Sequence, residues 1–237
     1  MRGFPIFDYI GKGDYQSAFS YVFGAVLVIF LVLPFHEFAH GWTANKLGDP
    51  TAKYSGRLSL NPMRHIDWLG AALIMLVGFG WAKPVPVNTR YFKNPKRDMA
   101  ITAVAGPISN LLMGLVSLIL ANGIMVLYNH VLIGANNQTL HTVFSILYMI
   151  FAWAATINVG LAVFNLIPVP PLDGSRLLTA LLPDRWYYKI MAYEQYIMMG
   201  LFLLIFMGVL TGPLSVLRGY VMDGISFLAA LPFGNLL

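Results

Sequence analysis

The chain has 237 residues, of which 58% are hydrophobic and only 11% charged, with a mean hydropathy of +0.69, a net charge of +5 and no cysteine. A soluble domain carries about 25% charged residues, so this composition excludes an ordinary water-soluble enzyme and indicates a single integral membrane domain. Without a thiol, disulfides and cysteine-ligated metals are excluded, and any metal must take nitrogen and oxygen ligands.

In chain order, residues 1–16 form a short mixed tail in which Arg2 and Lys12 offset Asp8 and Asp14. The first span is predicted from about Gln16 to Leu47. Its segment Ala18–Phe35 has no charged residue and is long enough to cross a hydrocarbon core of ~30 Å at ~1.5 Å per residue. This run is too long for a signal-peptide core and leads directly into the polar cluster at its end, so no cleavable signal is expected. Gly48-Asp49-Pro50 ends the helix, and a basic loop follows from Thr51 to Asp67. Leu69–Phe79 is apolar but only 11 residues long, which suits a re-entrant segment; Trp68 and Trp81 at its ends leave a full span open.

Gly80–Val87 contains Pro84 and Pro86, which force extended backbone before them. Two prolines at strand spacing silence one edge and leave the N–H groups of Val85 and Val87 on the other. A small membrane-associated β element with one usable edge is therefore expected, with a stiff linker as the alternative. From Met99 to Leu172 there is no Asp, Glu, Lys or Arg, and two spans fit, about Ala100–Tyr128 and Val143–Ile167. The turn between them, Asn129–Gln138, carries no basic residue. The positive-inside rule places it outside and the basic loops at 49–67 and 81–98 in the cytoplasm. A last span is predicted at about Tyr196–Thr211, leaving 213–237, interrupted by Arg218 and Asp223, as an interfacial segment or a poor further span. The expected fold is an all-α polytopic membrane protein with about four transmembrane helices. The basic residues serve as topology signals in short loops, not as a nucleic-acid surface.

The chemistry is concentrated at Pro34-Phe35-His36-Glu37-Phe38-Ala39-His40. Residues four apart share a helix face, so His36 and His40 can both direct a ring nitrogen at one metal ion, with Glu37 beside them. Burying two imidazoles and a carboxylate at membrane depth costs several kcal/mol unless they are paired or ligate something. Pro34 cannot donate to the Phe30 carbonyl, so the helix is expected to kink just before this cluster.

A zinc hydrolase needs a third protein ligand if the fourth position is to hold water. Asp173, at the end of Asn165-Leu166-Ile167-Pro168-Val169-Pro170-Pro171-Leu172-Asp173-Gly174, is the first acid after the charge-free spans, and the topology brings it to the side of His36 and His40. Spacing alone leaves it balanced between a ligand and an N-cap for the following helix.

An HExxH on a membrane helix followed downstream by Asn-x-x-Pro-x-Pro-x-x-Asp-Gly resembles the site-2 proteases, zinc metalloproteases that cut peptide bonds within or beside membranes. Ala105-Gly106-Pro107-Ile108-Ser109-Asn110 is similar to the family's Gly-Pro-x-x-Asn pattern. The resemblance covers about residues 18–212 as the catalytic core. It implies one zinc per chain held by His36, His40 and Asp173, Glu37 as general base, and Asn165 assisting at the substrate carbonyl. Asn110 is a helix-packing residue or a second substrate contact, and Val85 and Val87 offer an edge for a substrate strand. No PDZ-like or CBS-like insertion is evident, and Gly56–Asp67 resembles an insertion of small prokaryotic members. The implied substrate is a transmembrane protein unwinding near the cytoplasmic face of a prokaryotic membrane. A proton- or metal-coupled transporter, or an inactive zinc-containing binding protein, would also place these groups at membrane depth, but neither explains both motifs. His65, His130 and His141 read as loop or interfacial histidines, and Asn158 as an interhelical hydrogen bond.

Overall fold

The computed structural model describes residues 5–77, 80–132 and 137–236. Its helices are α1 (Pro5–Gly11), α2 (Tyr15–Leu27), α3 (Leu33–Lys46), α4 (Thr51–Tyr54), α5 (Trp68–Val77), α6 (Pro95–Leu132), α7 (Gln138–Asn165), α8 (Asp173–Leu181), α9 (Asp184–Ala192), α10 (Glu194–Phe206) and α11 (Thr211–Ala230). Four helical stretches are long and apolar enough to cross a membrane: Tyr15–Lys46, Pro95–His130, Gln138–Asn165 and Thr211–Gly234.

Asp14 starts α2, its side chain accepting from the Ser17 N–H at 3.0 Å. A π-helical turn at Val28–Val32 joins α2 to α3, with the Leu33 N–H reaching back to the Val28 carbonyl. The shift falls just ahead of Pro34: with no N–H to give Phe30, the ladder slips by one residue before the HExxH turn. Leu47 closes α3, and Gly48 takes a positive φ of 111° that turns the chain into the loop.

Helices α6 and α7 pack along their length, with α2 against α7 and α3 against α6. Small residues make the approach: Ala25, Ala154, Ala155, Ala162 and Ala121 are all essentially buried. Where lipid is as apolar as the core, close van der Waals contact of this kind, not water exclusion, holds helices together. The outward faces are covered by exposed Phe, Leu and Ile side chains such as Phe19, Phe23, Leu112 and Leu120, as expected for a surface solvated by acyl chains. The interhelical role expected for Asn158 is not seen: its amide donates to the Ala154 carbonyl of its own helix at 2.9 Å.

Two expectations are corrected. The described residues of 80–88 are extended but pair with no strand, so the small β element is absent. Their N–H groups go instead to partners outside any sheet: Lys83 to the His65 carbonyl, Val85 to Glu37 and Asn88 to Asp49. The fourth membrane-length helix is α11, not the stretch 196–211. Gly208, with φ of 76°, ends α10 after 13 residues, and α11 carries Arg218 and Asp223 within an otherwise apolar run.

The short segment α5 behaves as a hairpin within the fold. Tyr21 donates its hydroxyl to the Ile74 carbonyl at 3.1 Å, and Ile74 is fully buried. A Cβ on Gly80 would lie 2.0 Å from the Gly70 carbonyl oxygen, so the returning chain passes directly against the start of α5. The start of α5 and the chain at Gly80 therefore lie side by side.

Candidate metal centre

Helix α3 delivers the first two donors. His36 and His40 are 5% and 8% exposed, one turn apart, with their Nε2 atoms 3.0 Å from each other. Helix α8 delivers the third: Asp173 is its first residue, and its Oδ2 lies 3.3 Å from both Nε2 atoms. The proline-rich turn after α7 brings it back. The three donor atoms all lie within 4.8 Å of one another. Ligands held about 2.0–2.1 Å from a tetrahedral zinc stand about 3.3 Å apart, so the spacing fits.

Two further observations support that fit. Asp173 Oδ2 is buried and accepts no hydrogen bond, which is costly for a carboxylate oxygen unless a cation occupies the gap between it and the imidazoles. His40 donates its Nδ1–H to the Thr102 carbonyl of α6 at 2.7 Å, which leaves the Nε2 lone pair facing the cluster. The N-cap alternative for Asp173 has no support, because no side chain caps α8 and the first position outside it is Leu172.

Glu37 is 7% exposed, and its Oε2 accepts the Val85 N–H at 2.8 Å. The site opens into a cleft of about 730 Å³, lined by His36, Glu37, His40 and Asp173 on one side and by Asn165, Trp81, Val85, Val87 and residues of α10 around it. Asn165, the last residue of α7, is half-buried at that wall. Asn110 is fully buried in α6 and does not line the cleft; its amide nitrogen and oxygen both lack partners. His65 is a loop histidine, fully buried, and its Nε2–H donates to the Ser59 carbonyl at 2.6 Å.

Some contributors left no readable signal. The Thr102 carbonyl is backbone, and any residue type would present it. Gly106 belongs to a motif visible in the sequence, but its role is steric: a Cβ there would stand 2.3 Å from His40 Nε2 and 2.6 Å from His36 Cε1. Pro107, next to it, leaves the Ala103 carbonyl without its helical donor and loosens the ladder of α6 beside the imidazoles.

Two histidines on a membrane-length helix and a carboxylate at the start of the short helix α8, with a buried glutamate alongside, define a zinc metalloprotease of the membrane class. The chain belongs to Peptidase family M50, whose sequence model matches residues 24–208. It is 42% identical over 172 residues to YwhC of Bacillus subtilis, provisionally named a zinc metalloprotease, covering 72% of this chain and 75% of that one. It is 28% identical over 171 residues to Rip2 of Mycobacterium tuberculosis, named in the same provisional way, and spans 60% of its length. No solved structure gives a significant match.

Proposed function

We propose that this chain is an intramembrane endopeptidase that hydrolyses peptide bonds of transmembrane proteins near the cytoplasmic face of a prokaryotic membrane, with one zinc per chain held by His36, His40 and Asp173. The observation that carries this reading is the convergence of three donor atoms within 4.8 Å, on two different helices, beside a buried glutamate at the floor of a cleft. Zinc bound there would supply Lewis acidity, bringing the pKa of a water down to about 7.

This chain's own residues do the rest. With Oε2 engaged by the Val85 N–H, Glu37 has Oε1 free to take a proton from the attacking water and return it to the leaving nitrogen. The Asn165 side chain, at the cleft wall, supplies a hydrogen bond to the substrate carbonyl oxygen as negative charge develops on it. The extended segment forms another wall. Because the Val85 N–H is already spent on Glu37, backbone pairing with an unwound substrate falls to the Val87 end. Asn110 serves helix packing. Lys53, Arg57, Arg64, Lys83 and Lys93, all in the connections 49–67 and 81–98 at the HExxH end of the spans, support the cytoplasmic placement of the site.

The test is a purified preparation assayed for bound zinc and for cleavage of a single-span membrane reporter in liposomes. About one zinc per chain with chelator-sensitive cleavage is expected. Asp173→Ala should lower zinc affinity by about 10- to 100-fold or more and abolish cleavage with it. A zinc-loaded wild type that cleaves no membrane reporter would favour a binding role, and a wild type without zinc would overturn the reading.

A further inference from the structure

We propose that Arg57 is a positioning residue for Glu37, acting through the extended segment Lys83–Asn88 as a bracket over the general base. This rests on the reading of Glu37 as base given above. The segment has no sheet to hold it, yet it places one backbone N–H, that of Val85, 2.8 Å from Glu37 Oε2. Carboxylates oriented by backbone N–H groups are held in one rotamer, and a displacement of about 1 Å at a reacting group can cost 100-fold in rate. Something must therefore fix the segment to within a fraction of an ångström.

Three anchors do so. One Arg57 Nη atom donates to the carbonyls of Lys83 and Pro84 at 2.7 and 3.2 Å, the two positions immediately before Val85. The Lys83 N–H donates to the His65 carbonyl at 2.8 Å, and the His65 ring in turn closes its own loop on Ser59. At the far end, fully buried Asp49 accepts the Asn88 N–H at 2.7 Å. Pro84 and Pro86 have no N–H, so the stretch cannot shift register to find other partners, and Arg57 is the side chain that grips it next to the critical amide.

The fit against α3 is equally close. Gly41 lies one turn after Glu37, and a Cβ there would meet Ala52 Cβ and Val85 Cγ1 at 3.2 Å and Leu58 Cδ1 at 3.5 Å. The loop that carries Arg57 and the segment that carries Val85 thus seat together on one bare helix turn beside the base. Neither Arg57 nor Gly41 ligates metal, so the bracket acts on the carboxylate and not on zinc.

The experiment compares wild type, Glu37→Gln, Arg57→Ala, Val85→Pro and the Arg57→Ala/Val85→Pro double variant in liposomes. Bound zinc and kcat and KM on a single-span fluorogenic reporter are read for each, and hydrogen exchange at the Val85 amide in the three that retain it. Arg57→Ala should keep wild-type zinc, lose about 10-fold of Val85 amide protection, and lose about 10- to 100-fold in kcat with KM within about twofold. Val85→Pro, which deletes the N–H, should lose as much kcat or more, and the double variant should fall no lower than Val85→Pro alone, since both changes act through one hydrogen bond. Additive losses, unchanged kcat in Arg57→Ala, or loss of zinc from it would each overturn the assignment. A wild type that does not cleave, or a Glu37→Gln variant that does, would sink the parent reading instead.

Discussion

Glu37→Gln is expected to retain zinc at the wild-type level and to lose peptide cleavage by at least about 100-fold. General acid–base groups contribute about 10²- to 10⁴-fold, so the loss should lie in that range or beyond it if proton delivery to the leaving nitrogen also fails. Retention of zinc follows from the donor geometry: the cluster is His36, His40 and Asp173, and Glu37 faces the Val85 amide. Glutamine is nearly isosteric, and its side-chain carbonyl can still accept the Val85 N–H, so the cleft wall keeps its place. What it lacks is a lone pair basic enough to hold a proton. Measured side by side, zinc content and reporter cleavage separate the two roles. A variant that cleaves at the wild-type rate removes Glu37 from the proton path, and one that loses zinc makes it a ligand.

The HExxH turn was the part of the site most legible in sequence, for a physical reason. Two histidines four apart need only a helix to share a face, and an uncharged run of membrane length guarantees that helix. Asp173 was legible only in part, because spacing cannot say whether an acid at a helix start caps it or points away; the family motif inclined the choice and the 3.3 Å contacts to both imidazoles agree with it. The extended proline segment misled for a related reason. Alternating prolines do dictate extended backbone, but whether its N–H groups meet a strand or scattered acceptors is decided by tertiary placement. Here the acceptors are a glutamate, an aspartate and a lone loop carbonyl. The fourth span was displaced because hydropathy favoured the purely apolar stretch near 196–211. A glycine of positive φ cuts that helix to 13 residues, whereas α11 tolerates Arg218 and Asp223 within 20.

Gly106→Ala is expected to strike the metal centre directly, through both imidazoles. The new Cβ would sit 2.3 Å from His40 Nε2, 2.5 Å from His40 Cε1 and 2.6 Å from His36 Cε1. Carbon atoms in contact settle near 3.5–4.0 Å, so these positions cannot coexist. Relief has two routes, and both damage the site. If α6 retreats, the Thr102 carbonyl, four residues earlier on the same helix, leaves the His40 Nδ1–H that it now accepts at 2.7 Å, and the tautomer that presents Nε2 loses its support. If the imidazoles rotate instead, their spacing to Asp173 Oδ2 departs from what one tetrahedral ion can bridge. Zinc affinity should therefore fall by about 10- to 100-fold or more, and cleavage with it, in a protein whose helices still form. Gly224→Ala, in α11 where nothing lies within 4 Å, is the matched control and should change neither quantity. The comparison is read by competition of each purified variant against a zinc chelator. Equal affinities would mean that α6 does not press on the two histidines, and the motif glycine would then need another explanation.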